Sequence, residues 1–351
     1  MSSAETLVDG PFFEDLRRGQ RFDDSPALTL TDGLAAAHRA IVGGRLPLTL
    51  DAGLSARVLG GSDDVDGGGD GDGGVLAAPH LVWDVVIGQS TIATHAVVAN
   101  LFYRGVVFRR APVIGDTLRT VTEVVGLRQN SRRPGRAATG LAALRISAAD
   151  QRGRAVLDFW RCAMLPLRDT GLETGHADDL SAIGVEPSAD ELARVSAGWD
   201  LAAYRAALPA DTLRVPSAGS RFVIAGGDVV SSAPDLARLT LNVARVHHDE
   251  TAPGASGRLV YGGHTIGLAL HQATRALPGL VTVVGWHGCD HLGPVREGDT
   301  LTSSVDVEQV VPLAASAGGT LAHLRSRVAA ARAGGEAPTP VLDWRFVALL
   351  P

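Results

Sequence analysis

The chain contains no lysine: all 32 of its basic residues are arginines. Schiff-base chemistry and the P-loop lysine are thereby excluded. Any phosphate group has to be met by arginine or by backbone N–H groups. Cysteine is almost as scarce. Cys162 and Cys289 stand far apart and in no metal-ligand spacing, which excludes a disulfide scaffold or a structural zinc site and fits a reducing compartment. Long apolar runs are missing too. The nearest thing to one, residues 81–102, is interrupted by Asp84, Gln89, His95 and Asn100, so it reads as a buried helix running into later segments and not as a membrane span. Residues 1–19 show no apolar leader core, so no secretory signal is expected, and the expected location is cytoplasmic. The net charge of -6 argues against a nucleic-acid partner.

What is present is length for two cores, with 351 residues of which 45% are hydrophobic, and a repeat. Gly115-Asp116-Thr117-Leu118 returns as Gly298-Asp299-Thr300-Leu301, 183 positions on. Val156-Leu157-Asp158-Phe159-Trp160-Arg161 returns as Val341-Leu342-Asp343-Trp344-Arg345-Phe346, 185 positions on. Gly19-Gln20-Arg21-Phe22 pairs with Gly219-Ser220-Arg221-Phe222 at a spacing of 200. The fall in spacing is explained by an Asp/Gly-rich insertion, residues 60–74, in the first half alone. Self-similarity in one order implies a duplicated domain. Each half predicts a short helix (32–41; 233–243), a longer apolar helix (79 to about 98; about 261–276), then strands of period-two alternation with Gly, Asp and Pro turns. One buried helix followed by antiparallel strands suggests a sheet wrapped around that helix, an α+β fold. The expected organisation is 1–168, a linker 169–218 carrying short helices at 189–197 and 201–208, and 219–351.

Chemistry concentrates in the second half, in the run Asn242-Val243-Ala244-Arg245-Val246-His247-His248-Asp249 followed by Gly257-Arg258-Leu259-Val260-Tyr261-Gly262-Gly263-His264. This segment resembles the MaoC-like hydratases, whose motif is an acid, a histidine five residues on, then an apolar pair and a glycine opening the central helix. Phe12-Phe13-Glu14-Asp15-Leu16 and Gly126-Leu127-Arg128-Gln129-Asn130, with the strings above, resemble the mesaconyl-CoA (2-methylfumaryl-CoA) hydratase branch of that family. The resemblance spans the chain apart from 60–74 and the linker. It implies a double hotdog, an acyl-CoA substrate and reversible hydration of an enoyl thioester, with no cofactor beyond the CoA ester itself. Alternatives left open are an (R)-specific enoyl-CoA hydratase for uncharged chains and a non-catalytic acyl-CoA-binding protein. A hotdog thioesterase is a further one. Hotdog sheets commonly pair; a double hotdog already holds one such pair, so a homodimer is an open expectation.

Hydration needs a base for the attacking water, a proton for the α-carbon and a donor for the thioester oxygen. Histidine titrates near neutrality, which makes His247 the candidate proton carrier. Gly262, at a helix start, is the candidate oxyanion donor, because its bare Cα permits close approach. Asn242 stands where the family motif has a carboxylate. An amide cannot act as a base but can orient water or the imidazole, so a second acid/base group is unassigned, with Asp249, His264 or His247 acting alone as the candidates. Tyr261 and His264 are expected at the substrate. Arg245 and Arg258 are expected to meet a substrate carboxylate, since a buried carboxylate favours a bidentate arginine. Arg128, Arg132, Arg133 and Arg136 are candidates for the CoA phosphates, while His287 and His291 read as structural. The first half has Gly44 and Thr49 at the positions of Asn242 and His247, and neither moves protons, so this half is expected to shape the acyl pocket. No metal is expected: the histidines lack an HExxH spacing, and residues 63–74 lack the terminal glutamate of a calcium loop.

Overall fold

The computed structural model describes residues 8–60, 74–251, 257–314, 318–332 and 337–351. Most of the Asp/Gly-rich run, residues 61–73, lies outside the described residues, and with it the calcium-loop question.

Two halves repeat one order of elements, apart from one extra short helix in the first. The first runs β1 (Arg21–Phe22), β2 (Leu28–Thr29), α1 (Asp32–Val42), α2 (Ala52–Leu59), α3 (Pro79–Ser90), β3 (Ala99–Phe108), β4 (Thr117–Gln129), β5 (Thr139–Ala149) and β6 (Ala155–Pro166). After α4 (Ala189–Ala193) and α5 (Leu201–Ala207) the second runs β7 (Arg221–Val223), β8 (Asp228–Val229), α6 (Ala233–Leu239), α7 (Gly262–Ala276), β9 (Thr282–His291), β10 (Thr300–Pro312), β11 (Thr320–Ala331) and β12 (Thr339–Leu350). The strands form one antiparallel sheet in the order β1-β4-β5-β6-β3-β9-β12-β11-β10-β7, with β2 on β4 and β8 on β10. The order reads the same from either end. β3 and β9 join the halves at the seam, pairing Tyr103 with Cys289 and Val106 with Trp286.

The sequence echoes turn out to be the joints of each half. Asp116 and Asp299 are buried, and each accepts the N–H of the residue three before it, Val113 at 3.0 Å and Arg296 at 2.9 Å. Asp158 pairs with Arg145 across two strands, and Asp343 pairs with Arg325 at the corresponding place. Gln89 near the end of α3 donates to the Leu118 carbonyl, and Gln272 of α7 donates to that of Leu301. Helix and strand are therefore locked in the same register twice.

Every residue of α3 is buried. A helix with no exposed face belongs inside a core, and Pro79 at its first turn needs no N–H partner there. It stops at Ser90, short of the expected residue 98. The Ser90 and Thr91 hydroxyls donate to the Ile87 and Gly88 carbonyls and draw the chain into a 3-10 turn, Thr91–Thr94. Helix α6 is likewise shorter than expected, because the Thr240 hydroxyl bonds back to Leu236 and Leu241 turns to φ 60. The linker helix expected over 189–197 is α4 followed by a 3-10 turn, Arg194–Ser196. Three of the five tryptophans meet at the seam: Trp83 of α3 lies 4.0 Å from Trp286 of β9, itself 5.2 Å from Trp344 of β12. No helix among the described residues is long and apolar enough to cross a membrane.

Candidate active site

A cavity of about 320 Å³ opens where the halves meet. The second half contributes Asn242, His247, Tyr261, Gly262, Thr265 and His291 to its wall; the first contributes Ile87, Thr91, Val97 to Asn100, Tyr103 and Arg161.

His247 ends a 3-10 turn, Arg245–His247. Its Nδ1 lies 3.0 Å from the Leu259 carbonyl oxygen. A carbonyl only accepts, so Nδ1 carries the hydrogen and Nε2 keeps its lone pair. The surrounding protein desolvates the ring and lowers its pKa to about 4. The neutral form that can take a proton is thus present throughout the physiological range.

Asn242 is held by backbone strain and a close helix contact. Leu241 before it has a positive φ, a conformation costly for a residue with a β-carbon. Gly88 in the interior of α3 has no side chain to block the loop, and a Cβ there would collide with the Thr240 carbonyl. Glycine costs about 1 kcal/mol in a helix interior; here that cost admits the loop carrying Asn242. The Asn242 Oδ1 accepts the Ala244 N–H at 3.0 Å, while Nδ2 is buried without a partner. A spare amide donor at this wall suits a water molecule.

Gly262 opens α7, and no side chain caps that end. First-turn N–H groups have no acceptor within their own helix, and the helix dipole favours negative charge there. The His291 ring packs over Gly262: a Cβ on Gly262 would lie 2.5 Å from His291 Nε2. His291, expected to be structural, lies on the cavity wall with Nε2 buried and unpartnered, and burial lowers its pKa to about 4. It faces the cavity from a strand end, a position only the tertiary fold supplies.

Other expected site residues fall elsewhere. Arg245 and Asp249 line a separate surface groove with His248. Arg258 is tied to Glu297. His264 is fully buried, off the cavity wall, with both ring nitrogens unpartnered. The α7 helix turns this side chain into the core, away from the cavity. Arg128, Arg133 and Arg136 line a groove of about 740 Å³ that shares Val98 with the cavity; Arg132 instead pairs with Glu173. In the first half, Gly44 and Thr49 border a smaller cavity of about 230 Å³. Beside it, His38 Nε2 and Asp84 Oδ2 lie 2.8 Å apart, fully buried. Among the described residues no group of three His, Cys, Asp or Glu is placed to hold a metal ion.

Five desolvated histidines, three of them buried and two half-buried, share one electrostatic fate. Burial lowers His38 and His80 to about 3, and His247, His264 and His291 to about 4. Burial raises Asp84 to about 7, which works against them between about pH 4 and 7. Between about pH 6.5 and 4 the unfolded chain binds protons at these imidazoles that the folded chain refuses, so stability falls as pH falls. Five groups against one set the direction. Melting temperature is expected to drop steadily from pH 7 to pH 4.5; a flat profile over that window in a thermal-shift titration would contradict neutral burial of these rings.

No family model matches the chain. The chain is 27% identical to the beta-methylmalyl-CoA dehydratase of Chloroflexus aurantiacus, over 97% of each. It is 28% identical to the mesaconyl-CoA hydratase of Cereibacter sphaeroides, over 97% of this chain and 98% of that one. Among solved structures it is similar to a conserved hypothetical protein of Mycobacterium tuberculosis with a double hotdog fold, at 51% identity and a TM-score of 0.86, covering 97% of this chain and 98% of the other. This chain belongs with that protein to the double-hotdog proteins. A Chloroflexus aurantiacus protein assigned to the MaoC-domain dehydratases shares the fold, with a TM-score of 0.82 at 23% identity over 99% of both chains. In family terms α3 and α7 are the two central helices, each wrapped by its own half of the sheet, and the seam β3–β9 is the junction between two hotdogs. The two curated relatives are named as a dehydratase and a hydratase, both hydro-lyases.

Proposed function

We propose that the protein catalyses reversible hydration of a short enoyl-CoA, with mesaconyl-CoA to β-methylmalyl-CoA as the specific reaction. The observation that carries this reading is the meeting, on one cavity wall, of His247 with a free Nε2 and the uncapped N-terminus of α7 at Gly262. The names of the two curated relatives support the specific substrate.

In the forward direction the oxygen of water bonds to the β-carbon. Its proton passes to His247 Nε2, and the double-bond electrons move onto the thioester oxygen, to which the Gly262 N–H donates a hydrogen bond. The enolate then collapses and the α-carbon takes up a proton, which His247 can return. Water has been added across the double bond and the imidazole is neutral again. Asn242 Nδ2 holds the water oxygen and leaves its proton to the histidine. The first half closes the cavity, and Arg128, Arg133 and Arg136 meet the CoA phosphates along the groove that reaches it at Val98.

Ultraviolet assay of the enoyl thioester tests the reading. Loss of absorbance with mesaconyl-CoA, and a slower loss with crotonyl-CoA, is the expected result. Tight CoA-ester binding without turnover across several enoyl-CoAs would instead identify a binding protein, and release of free CoA a thioesterase. The pH profile offers an independent check. With the His247 pKa near 4, kcat/KM is expected to stay level from pH 8 to pH 5 and to fall only below that. A fall centred near pH 6.5 would place an ordinary, solvated histidine at the reaction.

A further inference from the structure

A charged residue on the cavity wall belongs to none of the steps above. Arg161 lies in β6, 3% exposed, and no other arginine among the described residues is as buried. Its Nη2 donates to the Ser90 carbonyl at 3.2 Å and to Thr94 Oγ1 at 2.9 Å, while Nε is buried without a partner. Among the described residues no carboxylate pairs with it. A guanidinium does not escape this by losing its proton, and a buried cation without a counter-charge is costly.

The internal repeat sharpens the point. Val156 to Arg161 aligns with Val341 to Phe346, so Arg161 occupies the place of Phe346. The strand registers agree, since Arg161 faces Leu144 and Phe346 faces Leu324, next to the equivalent salt-bridging arginines 145 and 325. Phe346 is an ordinary core residue, fully buried. The fold therefore calls for an apolar side chain here, and the first half puts a charge there instead, on the wall of a cavity whose proton carrier comes from the second half. Its neighbours on that wall, Tyr103, Tyr261, Asn242, His247 and His291, bring no negative charge at neutral pH.

We infer that Arg161 binds a free carboxylate on the acyl group and selects monothioesters of short unsaturated dicarboxylic acids over uncharged enoyl-CoAs. This rests on the proposed hydratase reading for its substrate but not for its binding chemistry. The carboxylate role thereby moves from Arg245 and Arg258, which lie off the cavity, to a residue in the other half of the chain. Tethering of Nη2 to the Ser90 carbonyl and the Thr94 hydroxyl orients the fork on the cavity wall.

The test uses binding and turnover in the full chain. Wild-type protein is titrated with succinyl-CoA and butyryl-CoA, two saturated four-carbon thioesters that cannot be hydrated. Succinyl-CoA is expected to bind more tightly, and Arg161→Met to lose roughly 30-fold or more of that affinity while butyryl-CoA affinity holds or rises. In turnover, Arg161→Met is expected to lower kcat/KM for mesaconyl-CoA by a similar factor and to spare crotonyl-CoA. A role confined to capping α3 would weaken both ligands equally, which overturns the inference, as does equal wild-type affinity for the two. Arg161→Lys keeps the charge without the fork; its partial retention of succinyl-CoA preference serves if the methionine variant does not fold. Wild-type discrimination between the saturated esters, without turnover of any enoyl-CoA, would reject the hydratase reading and leave this inference standing.

Discussion

Replacing His247 with alanine is expected to lower kcat/KM for enoyl-CoA hydration by about 100- to 10,000-fold, the span that a positioned acid–base group commonly contributes. The reasoning is local. The Leu259 carbonyl fixes the hydrogen on Nδ1, and desolvation keeps the ring neutral, so Nε2 is a ready proton acceptor. Asn242 offers no substitute, because its amide has no basic nitrogen. Folding should survive, since the ring is half-buried and its side-chain hydrogen bond goes to one loop carbonyl. A His247→Ala protein with unchanged melting and wild-type turnover would remove this residue from the mechanism. His291 would then be the remaining imidazole on the cavity wall.

The second large effect is expected at Gly262. An alanine there would place its Cβ 2.5 Å from His291 Nε2 and 2.6 Å from Cε1, far inside van der Waals contact. Either the imidazole or the start of α7 has to move. Loss of one oxyanion donor costs a factor of about 100 to 1,000 in kcat, and misplacement by an ångström costs about as much as the lower figure. Gly262→Ala is therefore expected to reduce kcat by about 100-fold while CoA-ester binding is retained. The double variant Gly262→Ala/His291→Ala separates the two causes. If activity returns, the clash with His291 was the whole effect; if it stays low, the thioester needs the bare Cα. Near-wild-type kcat in the single variant would place the oxyanion donor elsewhere.

Much of the architecture was written in short strings. The Gly-Asp-Thr and Val-Leu-Asp echoes were legible because they are joints: a buried aspartate closing a turn and a cross-strand ion pair must recur wherever the same unit recurs. The position of His247 was legible too, since the 3-10 turn and the start of α7 are local features only a few residues long. Helix ends were harder. The stops at Ser90 and Leu239 depend on hydroxyls turning back onto carbonyls, a competition that apolar periodicity does not record.

What could not be read along the chain were choices made between elements distant in sequence. His291 and Arg161 sit in strands whose alternation says only that one face is buried. Whether that face meets core or cavity depends on where the other half of the sheet lies. Arg245 and Arg258 looked better placed because they flank the motif in sequence, yet the turn that aims His247 inward sends Arg245 to the surface, and Glu297 holds Arg258. The sequence by itself determined the duplication, the hotdog fold and the segment that brings His247 to the cavity, because each follows from patterns a few residues wide. Only the tertiary structure decided which side chains share the cavity, because its wall is assembled from both halves across the β3–β9 seam.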